Sequence, residues 1–208
     1  MQIALLHTAQ VHVATFDAIF ARLAPDVDLV HTVQEDWLQM ARDHGLDAIR
    51  KPVLAHLAKT GSADAMLCTC STLGPLADEA GVVRIDRPLM LAACANGPRV
   101  LVAICLESTR QATLDLLNET AEDLQSNIVP EVLMCDGAWA FFEAGDEAGF
   151  AQSITDSILA RLEGGDVDCV VLAQASMRAA EPNLTGVDIP VLSSPVLAAQ
   201  AAIALANG

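Results

Sequence analysis

Leu67-Cys68-Thr69-Cys70-Ser71-Thr72-Leu73-Gly74-Pro75 is the stretch whose reading decides the fold. An apolar run over 65–67 ends in two thiols and two hydroxyls, and Gly74-Pro75 then opens a helix predicted over 76–80. The pattern is a strand delivering a nucleophile or base to a helix N-terminus. Such a place gathers unpaired backbone N–H groups and positive dipole potential, so it suits a carboxylate ligand and an ionised thiol alike.

The rest of the chain supplies a large core for that strand. Of 208 residues 53% are hydrophobic, yet aromatics are only 3% and tyrosine is absent, so Ala, Val, Leu and Ile must fill the interior. That favours an α/β protein with parallel strands buried on both faces over an all-β sandwich. Eleven Lys and Arg against 27 Asp and Glu leave a formal charge of −16, which repels polyphosphate and anionic lipid over most of the surface. No nucleic-acid or membrane partner is therefore expected. A small anionic substrate remains compatible, because a helix N-terminus makes a local positive pocket. Residues 1–6 lack a basic leader and are too short an apolar run for a signal peptide or span, which predicts a cytoplasmic protein. The six cysteines (68, 70, 94, 105, 135 and 169) lack the paired C-x-x-C spacing of structural zinc and read as reduced thiols.

Strands are predicted over 3–6, 28–33, 65–70 and 82–85, then over 100–106, 129–134, 169–172 and 191–192. Between them, helices are predicted where Phe16, Ile19, Phe20 and Leu23 recur up to Pro25, over 49–59 with a stop at Gly61, and from Pro88. Further helices are predicted over 111–125, over 150–163 before Gly164-Gly165, and in the alanine-rich C-terminal segment. Residues with Glu35 and Asp36 read as a polar stretch, and 136–147 as a solvated acidic face anchored by Trp139, Phe141 and Phe142.

The two halves echo each other. Leu67-Cys68-Thr69-Cys70-Ser71 matches Leu172-Ala173-Gln174-Ala175-Ser176 in hydropathy, and Asp86-Arg87-Pro88 finds its counterpart in Ser193-Ser194-Pro195. The expected fold is therefore two pseudo-symmetric α/β lobes, each a mostly parallel sheet flanked by helices, with an active-site cleft between them. The strong turn Asn96-Gly97-Pro98 divides them into 1–97, which the C-terminal helix can complete, and 98–208. Strand C-termini are where open α/β sheets bind ligands, which gathers His7, Thr8, Cys70, Ser71, Thr72, Glu107, Ser108, Thr109, Gln174 and Ser176 as candidates.

With these motifs in place the sequence resembles the aspartate/glutamate racemase superfamily, which includes hydantoin racemases, maleate isomerases and arylmalonate decarboxylases. The resemblance runs through the first strand ending at His7-Thr8, the Cys70-Ser71-Thr72 turn, the Leu106-Glu107-Ser108-Thr109 turn and Val170 to Ser176. It implies chemistry without a cofactor on a small carboxylic acid, and a homodimer. In that family one thiolate removes an α-proton while a second thiol returns it from the opposite face. A free thiol, with a pKa near ~8.5, needs a helix N-terminus to become that base. Hydroxyls and amides at the same turn hold the carboxylate and the enolate-like charge. This sequence departs from the pattern at the second thiol: the family turn puts Gln174 there, and the internal repeat sets Ala175 opposite Cys70. In single-cysteine decarboxylases of the superfamily the retained cysteine lies in the second lobe, whereas here it lies in the first. One thiol still permits proton transfer on one face, attack on an activated double bond, or protonation of a carbanion left by decarboxylation.

Each candidate also has a structural reading. Cys70 can be a small buried residue at a strand end, and Cys68 is expected to face the other side of the sheet and pack in the core. Cys68 with Cys70 can also be a redox pair or half a metal site, although C-x-C lacks the usual redox spacing and no clustered ligands complete a tetrahedral zinc. His7 can be a ligand contact, a proton relay or a satisfied core histidine, and the other four histidines read as structural or surface groups. Glu107 can orient a substrate ammonium or relay a proton, or it can cap the next helix, and the Ser and Thr candidates share that double reading. The sequence thus predicts a racemase- or isomerase-like enzyme acting alpha to a carboxylate through Cys70, with no metal. The alternatives are decarboxylase-like or other lyase chemistry, or a ligand-binding protein that kept the fold and lost catalysis.

Overall fold

The structure, a computed structural model, describes residues 1–58 and 63–208. The predicted stop of the 49–59 helix at Gly61 lies outside those residues. Two four-stranded sheets carry the chain, and every strand runs parallel to its neighbours. The first joins β1 (Gln2–His7), β2 (Asp28–Val33), β3 (Ala65–Cys68) and β4 (Val83–Arg84) in the order β2-β1-β3-β4. The second joins β5 (Arg99–Ile104), β6 (Val129–Met134), β7 (Cys169–Leu172) and β8 (Val191–Ser193) in the order β6-β5-β7-β8. The expected repeat of mostly parallel α/β lobes is what the chain forms.

The central strands explain the apolar composition. All of β3 and β7 is buried, as is β5 from Val100 on, because helices cover both faces of a parallel sheet and no position is left for a polar residue. Pro130, which cannot donate to a ladder, falls on β6 at a sheet edge.

The helices are α1 (Val11–Leu23), α2 (Glu35–His44), α3 (Asp47–Leu57), α4 (Gly74–Glu79), α5 (Arg87–Ala95), α6 (Arg110–Asp123), α7 (Ala138–Glu143), α8 (Glu147–Leu162) and α9 (Ser194–Asn207). Two of them correct the sequence reading. The polar stretch at Glu35 is helix α2, whose Trp37, Leu38 and Ala41 turn inward while both acids sit in its favourable first turn. Likewise the acidic 136–147 face contains α7, where Trp139 stacks on Phe142 at 4.5 Å and Phe142 meets Phe150 at 5.2 Å. In α2 charge density hid a narrow apolar stripe, whereas at α7 the aromatic anchors were legible and only the helix was missed.

The chain divides into two compact units, residues 1–88 with 195–208, and residues 89–194. Helix α5 groups with the second unit although it precedes the Asn96-Gly97-Pro98 turn. Its carbonyls explain this: Ala93 O accepts from the Cys169 thiol on β7 and Cys94 O from the Ser126 hydroxyl. Helix α9 groups with the first unit, with Ala198, Ala199 and Ala202 fully buried. Each unit has its own core, one around Leu6, Cys68 and Leu73, the other around Leu101, Phe150 and Leu172.

Candidate active site

Cys70 lies two residues past the last paired residue of β3, in an extended conformation (φ −111°, ψ 114°), and leads into a 3-10 turn at Ser71–Leu73. Its carbonyl accepts the Leu73 N–H at 3.1 Å, and α4 follows from Gly74 with Pro75 in its first turn. The helix thus starts two residues earlier than the sequence suggested, because the 3-10 turn absorbs the change of direction. The Cys70 residue is only 7% exposed and shares a buried cluster with Leu6, Cys68, Leu73 and Ala77. Cys68 therefore packs on the same side as Cys70, not the opposite one, as a two-residue strand period requires. Its thiol is pushed up to about 12, first by burial and then by the neighbouring Cys70, which leaves it a packing group. All six cysteines are free and buried.

On the other side of the β1 terminus stands a polar group that the sequence revealed only in part. His7 is fully buried; its Nδ1 lies 2.8 Å from the Thr69 hydroxyl and its Nε2 lies 2.8 Å from His31 Nδ1. His31 Nε2 in turn lies 3.1 Å from Asp17 Oδ1. Burial, then the neighbouring His31 and His12, lowers His7 to about 4, so it is neutral at pH 7. Thr8 beside it is also buried. Neither Thr69 nor Asp17 was singled out from the sequence, although Thr69 stands inside the deciding stretch; the pairing of β1 with both β2 and β3 brings His7, His31 and Thr69 together, and α1 supplies Asp17.

The thiol turn rests on a buried ion network that sequence reasoning also missed. Arg84 on β4 gives Asp86 two hydrogen bonds, 2.7 and 3.0 Å, and a third goes to Asp78 of α4. Its guanidinium lies against Gly74, where a Cβ would collide with it. Glycine at the start of α4 is thus favoured by packing against Arg84 and not by its backbone, which is ordinary right-handed helix at φ −50°. Ser71 is exposed and Thr72 half-buried, and neither hydroxyl bonds to another group among the described residues.

The second unit repeats the turn with different side chains. Gln174 lies two residues past the last paired residue of β7 at φ −109°, ψ 137°, and its carbonyl accepts the Met177 N–H at 2.9 Å. The preceding amides match as well: Thr69 N–H donates to Leu6 O at 2.9 Å and Ala173 N–H to Ala103 O at 3.1 Å. Gln174 is therefore the counterpart of Cys70, which corrects the internal alignment that placed Ala175 there. Gln174 Oε1 accepts the Cys105 N–H at 2.7 Å, so its NH₂ is left as a donor. A half-buried Ser176 follows in the same turn, which runs Ala175–Leu184.

At the end of β5 a 3-10 turn over Glu107–Thr109 starts α6. The exposed Glu107 forms a two-point ion pair with Arg110 at 2.6 and 2.9 Å, and these hydrogen bonds hold its carboxyl below the usual range. Thr109 donates to Leu106 O at 2.7 Å, whereas Ser108 is exposed. A cavity of about 350 Å³ in this unit is lined by Leu159, Leu162, Val167 and Ile189, just before β7 and β8, so it is at the opposite end of those strands from Gln174. Among the described residues no three His, Cys, Asp or Glu side chains are placed to hold a metal ion, and no helix is long and apolar enough to cross a membrane.

No protein-family model and no curated protein sequence matches the chain. Solved structures do. An allantoin racemase from Klebsiella pneumoniae superposes with a TM-score of 0.73 at 16% identity, covering 100% of this chain and 88% of that one. The Picrophilus torridus aspartate racemase gives 0.67 at 14%, covering 99% and 94%. An arylmalonate decarboxylase gives 0.61 at 17%, covering 100% and 93%. The resemblance stated from the motifs holds at the level of the fold: the chain has the two-lobed α/β fold of the aspartate/glutamate racemase-like proteins.

Proposed function

We propose that the chain is a cofactor-independent racemase- or isomerase-like enzyme that acts at the carbon alpha to the carboxylate of a small acid, through the single thiol of Cys70. The observation that carries this reading is the place of Cys70, beyond β3 at the entry to a 3-10 turn and helix, in a fold shared with named racemases. A thiol there can take a proton from, or return one to, one face of a carbon acid. Ser71 and Thr72, whose hydroxyls are not engaged elsewhere, are the proposed carboxylate and enolate donors beside it. Thr8 in the first unit and Glu107, Ser108, Thr109, Gln174 and Ser176 in the second are the other proposed binding residues, whereas His7, fully buried with both ring nitrogens engaged, is not one of them. We propose a homodimer in the cytoplasm.

Gln174 favours a second reading. An amide at the position equivalent to Cys70 can donate hydrogen bonds but cannot act as an acid, and arylmalonate decarboxylase shares the fold. Decarboxylation with one-sided protonation needs only one acid. The two readings part in heavy water with a panel of amino acids, 2-substituted malonates and unsaturated diacids. Isomerase chemistry gives deuterium at the α-carbon or a changed configuration with every carboxylate retained, whereas lyase chemistry releases CO₂ and puts deuterium in its place. Cys70→Ala is expected to lower the observed turnover by about 10²- to 10⁴-fold. Undiminished turnover in that variant sinks the assignment of Cys70.

A further inference from the structure

Four polar side chains of the first unit form one unbroken line. Asp17 Oδ1 lies 3.1 Å from His31 Nε2, His31 Nδ1 lies 2.8 Å from His7 Nε2, His7 Nδ1 lies 2.8 Å from the Thr69 hydroxyl, and that hydroxyl lies 3.0 Å from Leu6 O. The outer end is open to solvent, with the Asp17 side chain 57% exposed, and the inner end is closed, with Thr69 at 3%.

The hydrogens in this line do not match its contacts. Carboxylate and carbonyl only accept, and two neutral imidazoles and one hydroxyl bring three hydrogens to four contacts. One contact must then go unfilled. The least costly to lose is Thr69 hydroxyl to Leu6 O, because that carbonyl already accepts the Thr69 N–H at 2.9 Å. The neutral line therefore runs Thr69 to His7, His7 to His31 and His31 to Asp17, each donating outward. One more proton fills all four contacts in two ways, which share His7 Nδ1 donating to Thr69 and Thr69 donating to Leu6 O and differ in which ring carries the charge; with the charge on His31, that ring donates from both nitrogens.

We propose that Asp17, His31, His7 and Thr69 form a one-proton switch, in which a proton held on His31 reverses the two inner hydrogen bonds and turns the Thr69 hydroxyl from His7 to the Leu6 carbonyl. His31 is the station for the charge because it alone of the two rings meets a carboxylate. Burial, with His31 and His12 nearby, holds His7 at about 4, so it relays without charging. The other groups facing the line are His12 and Phe16 from α1, with ring centroids 6.4 and 5.7 Å from His7; the chain leaving β3 presents the neutral Thr69. The inner end acts on the residue before Cys70, whose N–H carries the last hydrogen bond between β1 and the chain leaving β3. The switch stands whether or not Cys70 is catalytic.

The test uses the full chain with ¹⁵N-labelled histidine, because ring-nitrogen shifts report charge and tautomer separately. Between pH 8.5 and 5, His31 is expected to become protonated on both nitrogens in the same step in which His7 stays neutral and changes from the Nε2–H to the Nδ1–H tautomer. A His7 that keeps one tautomer through that step, or takes up its own proton there, overturns the proposal. Asp17→Asn removes the partner of the charge and is expected to move the step to lower pH; an unmoved step counts against the switch. Thr69→Val leaves the His7 Nδ1–H without its acceptor and is expected to move the step to lower pH, whereas Thr69→Ser is expected to leave it in place. If the valine variant does not fold, the serine and Asp17→Asn variants still decide.

Discussion

At the end of β3 the chain places a thiol and at the end of β7 an amide, on backbones that otherwise coincide. Cys70 and Gln174 share an extended conformation, the same offset from the last ladder pair, and a carbonyl that accepts the N–H three residues on. Main-chain hydrogen bonds build this turn, so the side chain at its apex can vary without altering it. The surroundings vary too. In the first unit the residue paired with Cys68 is Arg84, held by Asp86 and Asp78; in the second, the residue paired with Leu172 is Ser193, whose buried hydroxyl has no partner among the described residues. The repeat thus preserves a platform, while polar support is concentrated under the turn that carries the thiol.

If the first turn depends on that support, removing Arg84 should be the most damaging change outside the turn itself. Arg84→Met deletes one partner of a buried pair and leaves the Asp86 carboxylate, whose side chain is 12% exposed, without its cation. Unpaired buried charge is the costly outcome, and a loss of about 3 kcal/mol is expected in urea unfolding at pH 7. A loss under ~1 kcal/mol means that the network decorates the turn without supporting it.

A second asymmetry is acid sensitivity, because all five histidines lie in the first unit. His7 has a folded value of about 4 against 6.5 for the free group, so above pH 6.5 both states are neutral and nothing is lost. As pH falls below 6.5 the unfolded chain binds a proton that the native chain refuses, and stability drops until about pH 4. From pH 8 to pH 5 the loss from this group is about 2 kcal/mol, and burial of His12 acts in the same direction. His7→Gln is expected to flatten the pH dependence of unfolding by that amount over this interval. A slope equal to wild type would show that another group carries it.

How far the sequence foretold this follows from which interactions are local. Alternating strands and helices, the parallel sheets and the repeat were legible because Val, Leu and Ile runs bounded by Gly and Pro are short-range signals. Cys70 at a strand end was legible for the same reason. Helix α2 was not, because its apolar face is only Trp37, Leu38 and Ala41 among charges. His31, Asp17 and Thr69 could not be joined to His7, since their meeting depends on β2 and β3 flanking β1 and on α1 bringing Asp17 to His31, not on spacing along the chain. Arg84 was hidden likewise: a lone arginine in a short strand gives no sign that two aspartates and a glycine will close around it.

The side-chain link at the second turn should matter less than the Arg84 network. Gln174 Oε1 satisfies the Cys105 N–H at 2.7 Å, so Gln174→Ala removes one neutral hydrogen bond and exposes that amide to whatever water can reach it. A loss of about 1 kcal/mol is expected, with the amide exchange of Cys105 accelerated; unchanged exchange would show that this bond does not protect the strand end.

Ser193→Ala should have the smallest effect, and of opposite sign. The Ser193 hydroxyl is buried in a residue 4% exposed and has no hydrogen-bond partner among the described residues, so folding strips it of water without compensation. Alanine keeps the backbone of β8 and drops the unsatisfied group, leaving a void no larger than one oxygen. The two terms nearly cancel, with a net gain of up to ~1 kcal/mol. A clear destabilisation would mean that the hydroxyl is bonded in solution, through water or a ligand. The second unit would then hold a polar contact where the first holds Arg84, and the two platforms would be more alike than their side chains suggest.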